Sequence, residues 1–328
     1  PLTILALLLS LSAFADDAIK IVSPNKSVTA VVENRDGKVC MDICYGKKTT
    51  AFESIPLGIQ TSKRDLANGM SISGNSGKYS VSESYTMVTG KRSKCSNEAN
   101  CRIVWMKNAS GEELNVEIRA YNDGITFRYV IPKPMNGEFL KDEATAYQIK
   151  EGTKRWLQIY RPDSYEDFYP CYTSGINDGN VKQGFFRNQD HQWGYPALIE
   201  PEKGVFALIT EANIERDHCG SWLRNDVSLS KYAVVMAHET LPVKGSSWES
   251  PWRVMIAGGL DEVVESTLIT DLASPSEIVD PSWIQPGVSS WIYWAYNHGS
   301  NDYKIVCDYI DMAAQLKLPY MLIDAEWD

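Results

Sequence analysis

Tyr320-Met-Leu-Ile-Asp-Ala-Glu-Trp-Asp328 closes a chain of 328 residues, and its reading decides the fold of that end. Tyr320–Ile323 is a continuous apolar run, the pattern of a strand buried on both faces of a parallel sheet. It opens onto Asp324, Glu326, Trp327 and Asp328, acidic and aromatic residues just past the carboxyl end of the strand. That is where α/β barrels place their active sites. Acids at alternating positions suit the N-terminus of a following helix equally well. Upstream, Ser300–Leu318 carries Ile305, Val306, Tyr309, Ile310, Ala313 and Leu316 at helical spacing. Ser300 or Asn301 is the expected cap and Pro319 the stop. Before it, Ser289–Trp294 (SSWIYW) reads as a short strand. Strand, helix and strand make one βαβ unit, which cannot bury its own sheet edges. Residues 288–328 therefore read as the start of a truncated βα barrel, and the chain as the front portion of a longer one.

The preceding sequence has a different grain. From Ala18 to about Ala257 it is a series of short β runs punctuated by Gly, Asn, Asp and Pro. In LNVEIRAY, Leu114, Val116, Ile118 and Ala120 alternate with Asn115, Glu117 and Arg119, and Asn122-Asp123-Gly124 joins this run to GITFRYVI as a hairpin. Many short strands with Gly-rich turns predict a sandwich or barrel. Asp261–Thr270 reads as a short helix, and Leu272–Gly287, with its three prolines, as a linker. The fold class is mainly β. Residues 1–15 are the expected signal segment, 16–273 a large β-sandwich, 274–287 the linker, and 288–328 the first βαβ of the truncated barrel.

Composition narrows the function. A net charge of −10 without any Lys/Arg cluster argues against a nucleic-acid partner. Leu2–Phe14 (LTILALLLSLSAF) is an apolar run ending in Ala13-Phe14-Ala15, which fits a secretory cleavage site. It is shorter than the ~20 apolar residues of a membrane span. Export without a membrane anchor is expected, and since the first residue is not Met, a truncated front. Seven cysteines leave at least one unpaired in a monomer. Cys40 and Cys44 share a strand about 13 Å apart, too far to bond, whereas Cys95 and Cys101 flank a polar loop and could bridge a hairpin. No C-x-x-C or His/Cys spacing suggests zinc.

No catalytic signature is complete: G-x-S-x-G, H-E-x-x-H and phosphate loops are all lacking. What remains is acids beside aromatics, a combination suited to carbohydrate, since sugar rings stack on Trp and Tyr while carboxylates bind hydroxyls. Tyr165-Glu166-Asp167-Phe168-Tyr169-Pro170 is either such a patch or a solvated loop. Glu211 closes the apolar strand Val205–Ile209 as either a salt-bridge partner or a ligand for a hard cation such as Ca²⁺. Trp291 and Trp294 are three apart, so a regular strand turns them to opposite faces as core or as sugar platform. Of the four histidines, none with ligand spacing, His298 follows the first barrel-like strand.

These residues resemble a known family. Tyr85–Lys91 (YTMVTGK), Arg119–Tyr129 (RAYNDGITFRY), Tyr165-Glu166, Ile209-Thr-Glu-Ala212 and Pro251-Trp-Arg253 stand in the order of glycoside hydrolase family 97. Ser282–Gly287 (SWIQPG), Ser290–Trp294 (SWIYW) and Tyr320–Trp327 (YMLIDAEW) continue the series. The family consists of exported bacterial α-glucosidases and α-galactosidases. The resemblance implies an N-terminal β-super-sandwich, a central (β/α)₈ barrel and a small C-terminal β domain, of which this chain holds the first and the opening of the second. It implies removal of a terminal α-linked glucose, or alternatively galactose, from an oligosaccharide, in the periplasm. It also implies a Ca²⁺ ion with Glu211 as one ligand, and substrate contacts at Trp291, Trp294, Asp324 and Trp327. The catalytic carboxylates would lie beyond Asp328, so this chain alone would be inactive. Glu326 departs from the family pattern, which expects a small residue, or Glu before Gly-Trp. The competing class is a non-catalytic, exported carbohydrate-binding β-sandwich.

Overall fold

The computed structural model describes residues 18–47, 49–150, 152–160, 182–183, 186–187, 192–215, 218–225, 230–240, 245–293 and 299–325. They form two compact units. The first comprises residues up to Ser84 and Cys95–Ser274, and the second Tyr85–Lys94 and the residues from Pro275.

The first unit is a two-layer sandwich. Its smaller layer is an antiparallel meander of Ile19–Val22, Val28–Arg35, Lys38–Tyr45 and Thr49–Pro56. The larger, among the described residues, is a 13-stranded sheet. Its centre runs Gln192–Glu202, Val205–Ala212, Trp252–Gly258, Gly124–Ile131, Glu113–Tyr121 and Lys94–Lys107, each antiparallel to the next. Alternation decides which side chains meet between the layers. Val116, Ile118 and Ala120 join Ile125, Phe127, Ala207, Ile209 and Met255 in one core with Val28, Val32, Met41 and Ile43 of the meander. The intervening positions Tyr121, Trp252, Val254 and Ile256 build a second core on the opposite face. There Val263 and Leu268 pack down from two short helices, α1 (Leu260–Glu265) and α2 (Leu268–Asp271). Each such fully buried side chain contributes roughly 1.5–3 kcal/mol. The single helix expected over 261–270 is thus divided at Ser266-Thr267.

The hairpin at Asn122-Asp123 closes as expected, with Tyr121 paired to Gly124. Gly124 is there for space. A Cβ on it would lie 2.5 Å from the Met255 carbonyl oxygen and 2.8 Å from Leu268 Cδ1, so strand and helix approach only because it has none. The Cys95–Cys101 bridge that the sequence allows is excluded by the strand the two residues share. Both residues sit on the continuous strand Lys94–Lys107, and six residues of strand separate them by about 20 Å, far beyond disulfide reach.

In the second unit, Ser289–Trp291 and Tyr320–Leu322 pair in parallel, Ser290 opposite Met321, and α3 (Tyr303–Gln315) crosses between them. This is the βαβ unit read from the sequence, shorter at each end. The helix is capped by Asp302 rather than Ser300 or Asn301: its Oδ1 accepts from the amides of Lys304 at 2.9 Å and Ile305 at 3.2 Å. Tyr320–Ile323 is not buried on both faces as expected. Tyr320, Leu322 and Ile323 are 42, 49 and 41% exposed, and among the described residues the strand Ser289–Trp291 and α3 are the main elements packed on them.

No described helix is long and apolar enough to cross a membrane, a statement that does not bear on β-barrels. The segments 1–17 and 161–181, with the apolar leader and the Tyr165–Pro170 patch, lie outside the described residues, as do Trp294, His298, Glu326, Trp327 and Asp328.

Candidate functional site

The Ile209-Thr-Glu-Ala212 segment ends a strand whose odd-numbered residues face the inter-layer core, so Glu211 continues the row of Ala207 and Ile209. Directly opposite on the adjacent strand is Arg253, in the inward row of Met255. Ser221 follows the same parity as inward Leu223 on Ser221–Arg224. The fourth member comes from the small sheet of Leu140–Glu143, Ile59–Thr61 and Asp65–Leu66. A bulge between Leu140 and Asp142 inserts one extra residue, which turns Glu143 to the same buried side as Leu140.

These four residues form one ion network at the end of the core. Arg253 is 1% exposed, and its Nε and Nη2 donate to Glu143 Oε1 and Oε2 at 2.9 and 2.7 Å. Its remaining nitrogen, Nη1, donates to Glu211 Oε2 at 2.6 Å and to Ser221 Oγ at 2.9 Å. Glu211 Oε2 accepts from Ser221 Oγ at 2.7 Å, and Oε1 from the Ser221 amide at 3.0 Å. Burial alone would lower the pKa of Arg253, but Glu143 and Glu211 outweigh it and hold the guanidinium charged. One cation thus faces two carboxylates, and a buried arginine with its fork filled is the geometry in which such a network is self-consistent.

A second cluster occupies the outer face. Glu117 accepts from Arg119 at 2.9 Å and Arg128 at 2.7 Å, and both guanidinium carbons lie 4.6 Å from the centre of the Trp252 ring. In Pro251-Trp-Arg253, strand alternation therefore sends Trp252 into one cluster and Arg253 into the other. Segments Arg119–Tyr129 and Pro251–Arg253 belong together physically, as the two sides of one stretch of sheet.

Among the other candidates, the structure brings Trp291 and Asp324 together. The Trp291 indole donates to Asp324 Oδ2 at 3.1 Å, and Asp324 Oδ1 accepts from the Ala325 amide at 2.8 Å. Both lie at the carboxyl ends of the two parallel strands. Sequence reasoning missed Arg253 and Ser221 as partners of Glu211, and Glu143 as the second carboxylate on Arg253. Arg253 carried a signal, being a charge inside the apolar strand WRVMIAG, and Glu143 carried none. His218 binds the Glu249 carbonyl oxygen through Nε2.

Glu211 is a hard oxygen donor, with Oε1 engaged by one amide, and therefore suits Ca²⁺. Among the described residues no three His, Cys, Asp or Glu side chains gather as a metal group. The described part of the chain fits a share of one ligand.

With the geometry in place, residues 21–275 match the family model described as "Glycosyl-hydrolase 97 N-terminal". The chain belongs to glycoside hydrolase family 97. It is 30% identical over 295 residues, 89% of its length, to a protein of Streptomyces bingchenggensis named "Probable retaining alpha-galactosidase". To a "Retaining alpha-galactosidase" of Bacteroides thetaiotaomicron it is 24% identical over 99% of its length. The chain spans 43% and 52% of these two relatives, about half their length. A Pseudoalteromonas glycoside hydrolase family 97 enzyme, solved as a variant in complex with panose, shares the fold. Its TM-score is 0.79 at 18% identity, over 94% of this chain and 48% of that one.

Proposed function

We propose that this chain is the N-terminal part of an exo-acting α-glycosidase that releases a terminal α-linked hexose from an oligosaccharide. The observation that carries the reading is the family match across 21–275, nearly the whole of the described sandwich. Glucose is the first candidate sugar, supported by the panose complex of one relative. Galactose is the second, favoured by the names of the two curated relatives. Those names also favour a retaining course, in which paired carboxyls stand about 5–5.5 Å apart and one acts as nucleophile. Residues 288–328 open the catalytic barrel in this reading, with Trp291 and Asp324 at its sugar-facing rim, and Trp294 and Trp327 as further substrate contacts. Glu211 supplies one oxygen ligand to a calcium ion, and calcium would lend positive charge beside the reacting sugar. Within this chain, Arg253 and Ser221 hold the Glu211 carboxylate in one orientation. The Leu2–Phe14 segment supports export to the periplasm.

The test is to assay the full-length gene product on p-nitrophenyl α-glucoside and α-galactoside, with and without a calcium chelator. Chelator-sensitive release from one of them is expected, and names the sugar. If both stay intact across pH and calcium concentration, the sandwich belongs to a glycan-binding module or to an enzyme for another linkage.

A further inference from the structure

We infer that Glu143, a buried residue with no exposed carboxylate, sets the calcium affinity of Glu211 through Arg253. The inference rests on the calcium reading proposed above. Its ground is the charge count of the ion network. Arg253 divides one positive charge between two carboxylates, and the division is unequal. Glu143 takes two of the three guanidinium nitrogens, at 2.9 and 2.7 Å, while Glu211 takes one, which it shares with Ser221 Oγ. Glu143 has a side-chain exposure of 0%, against 9% for Glu211. The trio thus carries a net charge of −1 concentrated on the member nearer to solvent. Glu143 neutralises the arginine from behind and leaves Glu211 its charge for a cation in front. Without it, the full charge of Arg253 would fall on Glu211 and oppose a divalent ion. Glu143 is a positioning residue in this scheme and touches neither metal nor sugar.

Ser221 and Met236 complete the geometry. The Ser221 amide and hydroxyl fix the plane of the Glu211 carboxylate. A Cβ added to Gly220 would lie 3.3 Å from Glu211 Oε1, which keeps backbone close on that side. Met236 Sδ lies 3.7 Å from Arg253 Nη2, and this half-buried side chain offers a second place from which to alter the charge balance.

The test is isothermal titration of the chelator-stripped full-length protein with calcium chloride alone, with thermal unfolding run on every variant. Glu143→Gln is expected to weaken calcium binding about tenfold or more, which is ~1.4 kcal/mol, with Glu143→Asp restoring most of it. Met236→Lys is expected to weaken binding with the same sign and Met236→Gln to leave it unchanged, so the inference stays testable if Glu143→Gln fails to fold. Glu98→Gln removes an exposed charge four strands away in the same sheet and is expected to match the parent. Parent-like affinity in folded Glu143→Gln, or in Met236→Lys, overturns the inference while leaving the calcium reading intact. A parent protein that binds no calcium overturns both.

Discussion

The sandwich and the βαβ tail treat the same problem, apolar and charged groups that need partners, in opposite ways. In the sandwich the strand Trp252–Gly258 is buried along its whole length and even its arginine is enclosed, with every nitrogen of the fork donating. In the tail only Ala313 of α3 is buried, while Tyr303 is 84% and Leu316 62% exposed. The lesson is that local signals and tertiary satisfaction are separable. α3 forms on its cap and spacing, whereas the network at Glu211 exists only because four distant segments converge.

The sharpest way to break the comparison is to unsettle the enclosed side. Arg253→Met leaves Glu143 and Glu211 facing one another without a cation. It is expected to cost the sandwich about 3–5 kcal/mol in urea unfolding. A loss below 1 kcal/mol would mean that water already reaches the network. Gly124→Ala, which drives a methyl into the Met255 carbonyl, is expected to cost about 1–3 kcal/mol.

Acid and base sharpen it further. Burial would raise the pKa of Glu117, but Arg128 and Arg119 hold it below the ordinary carboxylate value, and Glu138 is lowered by Arg64 against the same burial. Carboxylates lowered in the folded state contribute stability above their unfolded pKa and lose it as pH falls through the folded one. Burial raises the hydroxyls of Tyr129, Tyr147 and Tyr195, so their contribution is complete below the unfolded tyrosine pKa, near 10, and fades as pH rises beyond it. The urea midpoint of the sandwich is therefore expected to fall below pH ~4.3 and again in the alkaline range. Arg128→Met should flatten the acid limb. An unchanged acid limb would remove Glu117 from the stability account.

The smallest effects belong to the tail. Leu316→Ser is expected to change stability by less than about 0.5 kcal/mol. In the chain of 328 residues, amides of Tyr303–Gln315 and Tyr320–Leu322 should exchange with deuterium faster than those of Trp252–Gly258. Equal protection would show that the tail is held as firmly as the sandwich.

Much of this fold was legible in the sequence, for identifiable reasons. Alternation in LNVEIRAY and the Asn122-Asp123-Gly124 turn are local signals, and the strands and hairpin they announce are present. The parallel pairing of Ser289–Trp291 with Tyr320–Leu322 followed from two short apolar runs and the helix between them. Burial was less legible. Tyr320–Ile323 has the composition of a two-sided strand, but composition states what a segment would bury and not what lies over it. The open question of a Cys95–Cys101 bridge was not legible either, because the polar stretch between them, Ser-Asn-Glu-Ala-Asn, reads as a loop yet continues as part of the strand Lys94–Lys107. At the candidate site, Glu211 was visible as an acid ending an apolar strand. Glu143, the other carboxylate on Arg253, was not, since a bulge one residue long decides that it points inward.

The most direct test of the central claim is calcium-dependent thermal stabilisation of the full-length protein, compared between the parent and Glu211→Gln. Glutamine keeps the shape and can still accept from the Ser221 amide through its oxygen while removing the charge. The expected result is a melting temperature that rises with calcium in the parent and is insensitive to it in the variant. An equal calcium-dependent rise in both would contradict the assignment of Glu211 as a ligand and return it to the role of a buried salt-bridge partner.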